Sequence, residues 1–407
     1  MAAAEARTGK EGKEGKERKE AEERHPGNPP LTPPPWRDPK RYYWLLGLFI
    51  PMFPFVAWGL VGWTGYGAFW WTGIVVLYVV FPVIDQLIGK DSANPPDSAL
   101  AWLEQDRYYR WCTYTYLPLQ YAGLVLGCWL LTSGGLSAVD RTGLTITLGG
   151  VAGIGINTAH ELGHKKESVE RWLSKIALAQ TMYGHFFIEH NRGHHVRVAT
   201  PEDPASARLG ESFWRFLPRT VYGSLVSAWR LERNRLRRRG RSPWTPENDI
   251  LNAWAMTAVL FGALAAAFGP GVLPYLAGQA VFGFCLLEVI NYTEHYGLLR
   301  RRTASGRYER CAPRHSWNSD NVASNVFLYH LQRHSDHHAH PTRRYQALRH
   351  FDDAPELPTG YAGMIVLAYF PPLWRRVMDH RVRAHYGGDL ALANIQPGKR
   401  ARYGVTA

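Results

Sequence analysis

The sequence predicts an all-α integral membrane protein with about six transmembrane helices and a cytosolic helical lobe, which carries a histidine-rich site for two metal ions. Three observations support this prediction: six long apolar segments, an uneven distribution of Lys and Arg among the loops, and three tight groups of histidine. Because 46% of the 407 residues are apolar, a chain that is disordered throughout is excluded. The four cysteines are widely spaced and form no CxxC pair, which excludes a disulfide-stapled secreted fold and a cysteine-ligated metal centre.

The two ends of the chain are predicted to be tails. Residues 1–40 are rich in charge and then in proline, with almost nothing apolar to bury, so we expect them to be disordered. No signal peptide is expected, because prolines follow the charged stretch and no small-residue cleavage site follows the first apolar run. Residues 396–407 are the second predicted tail, and residues 41–395 are predicted to form a single membrane-embedded domain.

Six apolar segments match the length that a helix needs to cross about 30 Å of hydrocarbon. The first lacks formal charge and contains Pro51 and Pro54, at either of which we expect a kink. The third carries Thr, Tyr and Gln, and the sixth carries Glu288, so these two are the more polar candidates. Helical hairpins buried in a soluble core are the alternative, which six such segments disfavour. The predicted spans are about 42–63, 67–88, 111–132, 142–160, 250–268 and 272–291.

Lys and Arg mark the cytosolic loops of membrane proteins, and their distribution here orients the predicted helices. The connections TGYGA and GPG, between spans one and two and between spans five and six, contain neither residue. Residues 161–249 and 296–395 are basic, so we expect them to form the cytosolic lobe, with both termini on the same side. The net charge of +13 is then explained by topology and by attraction to anionic lipid, and no nucleic-acid partner is expected.

Eight of the 17 histidines fall into three groups, HELGH at 160–164, HNRGHH at 190–195 and HSDHH at 334–338. In each group two histidines are four residues apart, so a helix would place them on one face and aim both imidazoles at one point. The adjacent His195 and His337 lie further around the helix and suit a second ion. Imidazole ligation alone does not identify the metal, since iron, zinc, copper and nickel all bind imidazole.

Two other interpretations compete with a two-metal site. HELGH matches the HExxH motif of zinc proteases, but one zinc site needs only three protein ligands and would leave the other groups unexplained. Hydrogen-bonded surface histidines are the second interpretation, which three ordered groups disfavour. His330, one turn before His334, could compete as a ligand.

Further polar residues lie beside these histidines at the cytosolic ends of the spans. His295 ends the sixth span on the side where His160 and His164 end the fourth. A carboxylate or amide there is a candidate for orienting an imidazole through a hydrogen bond to the ring nitrogen that does not bind metal. A salt bridge or a helix cap is an equally good interpretation of each of these residues. The candidates are Asn157, Glu161, Glu189, Glu288, Asn291, Glu294 and Asp336.

Four motifs closely resemble the membrane alkane 1-monooxygenases, a branch of the histidine-rich non-haem di-iron membrane enzymes that also include fatty acyl desaturases. They are NTAHELGHKKE at 157–167, GHFFIEHNRGHHVRVATPEDPA at 184–205, NYTEHYGL at 291–298 and LQRHSDHHAHPTR at 331–343. The three-group pattern is common to the wider superfamily, whereas NYTEHYGL is more particular to alkane hydroxylases. The resemblance implies nine ligands for two iron ions: His160, His164, His190, His194, His195, His295, His334, His337 and His338.

The resemblance also implies a reaction, in which molecular oxygen and two electrons convert the terminal methyl of a medium-chain alkane to a primary alcohol. It implies rubredoxin as the electron donor and the bacterial inner membrane as the location, with the active site on the cytosolic side. The apolar segment at 67–84 could line a passage for the alkane, while packing against lipid or other helices is the alternative role of its aromatic side chains. Four arginines, which could instead simply enforce topology, are candidates for docking the donor: Arg235, Arg237, Arg238 and Arg239.

Two alternative functions remain at this point. One is a membrane di-iron desaturase or hydroxylase that acts on a fatty acyl substrate with a head group. The other is a histidine-lined metal transporter, which should place its ligands near the middle of the bilayer rather than at the inner ends of the spans. Metal analysis and product detection would separate these functions from alkane hydroxylation.

Overall fold

A computed structural model describes residues 36–405 of the chain, so most of the predicted tail at 1–40 lies outside the described residues. Within that range all regular elements are helices, and strand pairing is limited to isolated bridges. The prediction of an all-α fold is therefore confirmed. In chain order the helices are α1 (Tyr43–Thr64), α2 (Gly67–Ile88), α3 (Asp97–Gln105), α4 (Arg107–Thr132), α5 (Ala138–Gly163), α6 (Ser168–Ala179), α7 (186–197), α8 (Phe213–Arg237), α9 (Asp249–Phe268), α10 (Pro270–His295), α11 (Val322–Phe327), α12 (His334–Ala339), α13 (Tyr361–Ala368) and α14 (Pro371–His385).

Short 3₁₀ turns lie between some of these helices, at Pro313–His315 and Tyr345–Ala347, and after the last helix, at Leu390–Leu392 and Ala401–Tyr403. Two of the long helices also change type along their length. In α1 a 3₁₀ stretch over Tyr43–Met52 gives way to an α-helix at Phe53, next to the prolines where a kink was predicted. In α2 a π-turn occupies Val76–Val80.

Four helices, α1, α2, α9 and α10, are long and apolar enough to cross a membrane, so the chain is an integral membrane protein. The predicted count of six spans is not confirmed. Helices α4 and α5 have sufficient length, at 26 residues each, but are less apolar. Residues 147–163 of α5 are continuously buried, and a helix enclosed by protein needs no apolar surface toward lipid.

The six long helices form three hairpins with short connections. Gly65, between α1 and α2, and Gly269, between α9 and α10, have φ values of 76° and 85°, a region that favours glycine. Helices α5 and α10 pack closely, because a Cβ added to Gly153 would lie 2.8 Å from the carbonyl oxygen of Gly283. The ends of α5 and α10 opposite the hairpin turns therefore lie together, and both carry histidines.

The remaining helices form a lobe over that end of the bundle. It is built from α3, from the chain between α5 and α9 and from the chain after α10. Residues 396–405, predicted as a tail, pack against this lobe: the Lys399 ammonium donates to the Gly210 carbonyl (2.6 Å) and the Tyr403 hydroxyl donates to Asp379 (2.8 Å). The sequence missed these contacts because the segment is polar and shows no helical periodicity.

Candidate metal centre

Nine histidines converge at the junction between the bundle and the lobe. They form two groups, and within each group the ring nitrogens lie within 4.8 Å of one another. The five-histidine group consists of His160, His164, His190, His195 and His337. The four-histidine group consists of His194, His295, His334 and His338. The structure thus brings together all nine residues that the resemblance implied.

A π-turn over His190–His194 decides how α7 divides its histidines between the two groups. A π-turn aligns residues five apart, so the Nε2 atoms of His190 and His195 lie 3.0 Å from each other. His194 instead faces the four-histidine group. The predicted pairing of His190 with His194 is therefore wrong, because it assumed an α-helical turn.

The other two segments follow the predicted α-helical spacing. His160 and His164 lie one turn apart at the end of α5 and belong to one group. On α12, the Nε2 atoms of His334 and His338 lie 2.9 Å apart. His337 lies further around this helix, as predicted, and its Nε2 is 2.8 Å from that of His160.

These separations fit metal-bound imidazoles better than imidazoles bonded to one another. Ligand nitrogens about 2.1 Å from one metal ion are about 3.0 Å apart when they subtend a right angle. Burial and neighbouring imidazoles hold the pKa of His190, His195 and His337 well below its usual value, which keeps the rings neutral and able to bind metal. The Nε2 of His337 faces both His160 (2.8 Å) and His195 (3.1 Å), and one ring N–H cannot satisfy both.

Asp203 orients one imidazole and was not among the predicted residues. Its Oδ2 lies 2.9 Å from Nδ1 of His194 and accepts a hydrogen bond from Ser206 (2.6 Å). Burial alone would raise the pKa of Asp203, but His194 and the hydrogen bonds lower it to about 2. The carboxylate therefore fixes the ring so that Nε2, which is buried without a partner, faces the four-histidine group. Asp203 lies in a loop nine residues after His194, where no periodicity points to it.

Among the predicted orienting residues, Glu294 is the one whose hydrogen bonds and ion pairs within residues 36–405 include a grouped histidine, with Oε2 3.1 Å from Nε2 of His334. For three other residues the prediction is wrong, because within the described residues each carboxylate pairs with a basic side chain and not with a grouped histidine. These pairs are Glu161 with Lys165 (2.9 Å), Glu189 with Arg197 (2.6 Å) and Asp336 with Arg343 (2.6 Å).

The remaining candidates bond to neutral groups. Glu288 accepts hydrogen bonds from Tyr183 (2.7 Å), Thr220 (2.9 Å) and Asn291 (3.2 Å). The Asn157 amide donates to the carbonyl of Leu328 (2.7 Å). Over residues 36–405, then, Glu288, Asn291 and Asn157 stabilise the packing around the groups and make no hydrogen bond to a grouped imidazole.

Two further predictions need correction. His330 donates from Nδ1 to the Tyr345 carbonyl (3.0 Å), packs edge-on against Trp44 and belongs to neither group, so it does not compete as a ligand. Arg235 is committed to Glu232, which accepts from its Nε at 2.9 Å, so it is a poor docking residue. Arg237, Arg238 and Arg239 are exposed at the end of α8.

An apolar cavity ends at the histidines. Helices α2, α5, α10 and α13 enclose it, and α2 contributes Leu77, Tyr78 and Phe81, from the segment predicted to line a passage. Its polar lining is confined to a few groups at and near the histidines, including Asn157, Asn291, Ser324 and Glu294. The lining also includes His160 and His190 of the five-histidine group and His334 of the four-histidine group. The cavity therefore joins both groups to the apolar interior.

Comparison with known proteins identifies the family. The alkane 1-monooxygenase of Acinetobacter baylyi is 48% identical, over 90% of this chain and 90% of its own. The Pseudomonas putida alkane 1-monooxygenase is 47% identical, over 91% of this chain and 92% of its own. The chain belongs to the alkane 1-monooxygenase family. The fatty acid desaturase family model matches residues 141–368, the range that holds all nine grouped histidines. A more distant relative, the hydroxylase component of xylene/toluene monooxygenase from Pseudomonas putida, is 27% identical over 83% of this chain and 87% of its own.

Proposed function

We propose that this protein hydroxylates the terminal methyl of medium-chain linear alkanes to give primary alcohols. The observation that carries the proposal is the apolar cavity, which ends at histidines of both groups. The balanced reaction combines an alkane, molecular oxygen, two electrons and two protons to give the alcohol and water. The names of the similar alkane 1-monooxygenases support the same substrate class.

The cavity suits a substrate without hydrogen-bonding groups. An alkane partitions into lipid and offers only its shape for recognition, so a protein must position it by apolar contact. Leucine, isoleucine and aromatic side chains supply that contact along most of the cavity, and no Lys or Arg is among its described lining residues. A dry, apolar wall also keeps water away from the reacting methyl group.

The nine histidines are the proposed ligands of two iron ions. Bound iron would supply the reduction of molecular oxygen that hydroxylation of a C–H bond requires. Burial keeps His190, His195 and His337 neutral, and Asp203 fixes the orientation of His194. Imidazole also binds zinc, copper and nickel, so the identity of the metal rests on the family and on metal analysis.

Rubredoxin is the proposed source of electrons. The chain itself has no cysteine quartet for an iron site and no glycine-rich dinucleotide fingerprint. The exposed Arg237, Arg238 and Arg239 would attract an acidic donor to the lobe.

A topology follows from the same reasoning. We infer that residues 41–395 form one domain of the bacterial inner membrane, with about six spans, and that the lobe and both termini face the cytosol. The short hairpin connections, which carry almost no Lys or Arg, support an outward position for the hairpin turns. Cysteines placed in the 133–137 turn should react with an impermeant maleimide added to intact cells, whereas cysteines at the exposed end of α8 should not.

An alternative function, desaturation or hydroxylation of a fatty acyl substrate, is favoured by the desaturase family model alone. Purified protein supplied with ferrous iron, a rubredoxin system and oxygen should convert octane to 1-octanol. The His338→Ala variant should lose this activity and part of its iron. Turnover of an octanoyl thioester without turnover of octane would replace the proposal with the alternative.

A further inference from the structure

Glu294 stands out among the buried acidic residues. It precedes His295 near the end of α10 and is 1% exposed. Of the other ten buried carboxylates of residues 36–405, eight contact a basic side chain, as Glu161 contacts Lys165, whereas Asp85 and Glu288 contact a hydroxyl group. Glu294 places its Oε2 3.1 Å from Nε2 of His334, and the hydroxyl of Tyr361 also lies beside this carboxyl group.

The ionised form of such a buried carboxyl group needs a positive charge nearby. Removing an unpaired carboxylate from water is costly, and buried charges in proteins are paired or coordinate metal ions. No Lys or Arg lies within ion-pair distance of Glu294 in the described part of the chain. A metal ion in the four-histidine group would provide the missing charge.

The geometry at His334 identifies where that ion would contact the carboxylate. Nε2 of His334 is 2.9 Å from Nε2 of His338 and 3.1 Å from Oε2 of Glu294. The oxygen thus approaches the imidazole at the same separation at which the grouped imidazoles approach one another, 2.8–3.1 Å. Donor atoms at this spacing are typical neighbours around a single metal ion.

We propose that Glu294 is a direct oxygen ligand of the metal ion bound by the four-histidine group. Four imidazoles and one carboxylate then give this group five donors, as many as the five-histidine group has. A mixed set of imidazole and carboxylate is typical of iron sites that react with oxygen. Because Glu294 also lines the apolar cavity, the ion with unlike donors would face the cavity, as the five-histidine group does through His160 and His190. It rests on the proposed function only in requiring that the nine histidines bind metal.

The test compares Glu294→Gln with Glu288→Gln in full-length protein loaded anaerobically with ferrous iron. Both changes replace the carboxyl group of an equally buried glutamate on α10 by an amide. In the unsubstituted protein Glu288 bonds to neutral groups and contacts no grouped histidine. In Glu294→Gln, the affinity for one of the two iron ions should fall by about 10-fold or more, measured as iron retained against a chelator. Retention in Glu288→Gln should match the unsubstituted protein, and the Mössbauer signal of one iron should change only in Glu294→Gln.

A second measurement uses the unsubstituted protein and so does not depend on the folding of a variant. With ¹³C-labelled glutamate, the infrared difference between iron-loaded and iron-free protein should contain a shifted glutamate carboxylate band. The absence of this band, or unchanged iron retention and Mössbauer signals in Glu294→Gln, would overturn the proposal. If the unsubstituted protein binds no iron at all, the proposed function fails instead, which is a separate result.

Discussion

Removing the Asp203 carboxylate is expected to weaken metal binding at the four-histidine group. In Asp203→Ala, Nδ1 of His194 loses its 2.9 Å partner, and the ring is free to rotate or to change tautomer. Loss of such an orienting carboxylate lowers metal affinity by about 10- to 100-fold, which corresponds to about 1.4–2.8 kcal/mol. Asp203→Asn retains one acceptor oxygen, so its loss should be smaller.

The assay is equilibrium competition between the purified protein and a coloured iron chelator, read as iron retained per chain. Asp379→Asn is the matched control, because Asp379 accepts hydrogen bonds from Tyr296 and Tyr403 and contacts no grouped histidine. The five-histidine group should retain its ion in every variant. If Asp203→Ala retained both ions as firmly as the control, the orienting role assigned to this carboxylate would be refuted.

Three further predictions concern the donor, the cavity and the helix packing. Replacing the three exposed arginines at the end of α8 by serine should raise the half-saturating rubredoxin concentration and flatten its salt dependence; identical salt curves would reject docking there. Ile365→Trp fills the cavity from α13 and should reduce turnover of dodecane more than of octane, whereas Leu367→Trp, on the same helix but outside the lining, should leave the ratio of the two rates unchanged. Gly283→Leu should lower the free energy of unfolding by about 1–3 kcal/mol, because the side chain would overlap α5. Gly262→Leu on α9, where nothing lies within 4 Å, is the control, and equal melting temperatures in detergent would contradict the packing argument.

Local sequence patterns predicted the parts of this molecule that depend on one helix at a time. Long apolar runs predicted the membrane helices, and the four-residue spacing predicted the pairs on α5 and α12. The π-turn at 190–194 could not be predicted this way, since an α-turn and a π-turn can be built from the same residues and the choice depends on packing.

Long-range contacts were the other source of error. Asp203 reaches His194 because Ser206 bonds both its carboxylate and the backbone N–H of Ala199, which has a φ of 54°. Nothing in the spacing of the sequence encodes that loop. Likewise, Glu161 and Glu189 were plausible neighbours of histidine by position, but the fold supplies each with a basic partner.

The wide turn of α7 has a mechanical consequence. His194 and His195 are consecutive in the chain, yet they serve different groups. A single peptide unit therefore links the two histidine groups, and any motion that displaces one group is transmitted to the other through covalent bonds. An α-turn here would change which histidine group each of these side chains joins, so the spacing between the two groups depends on the backbone of residues 190–195.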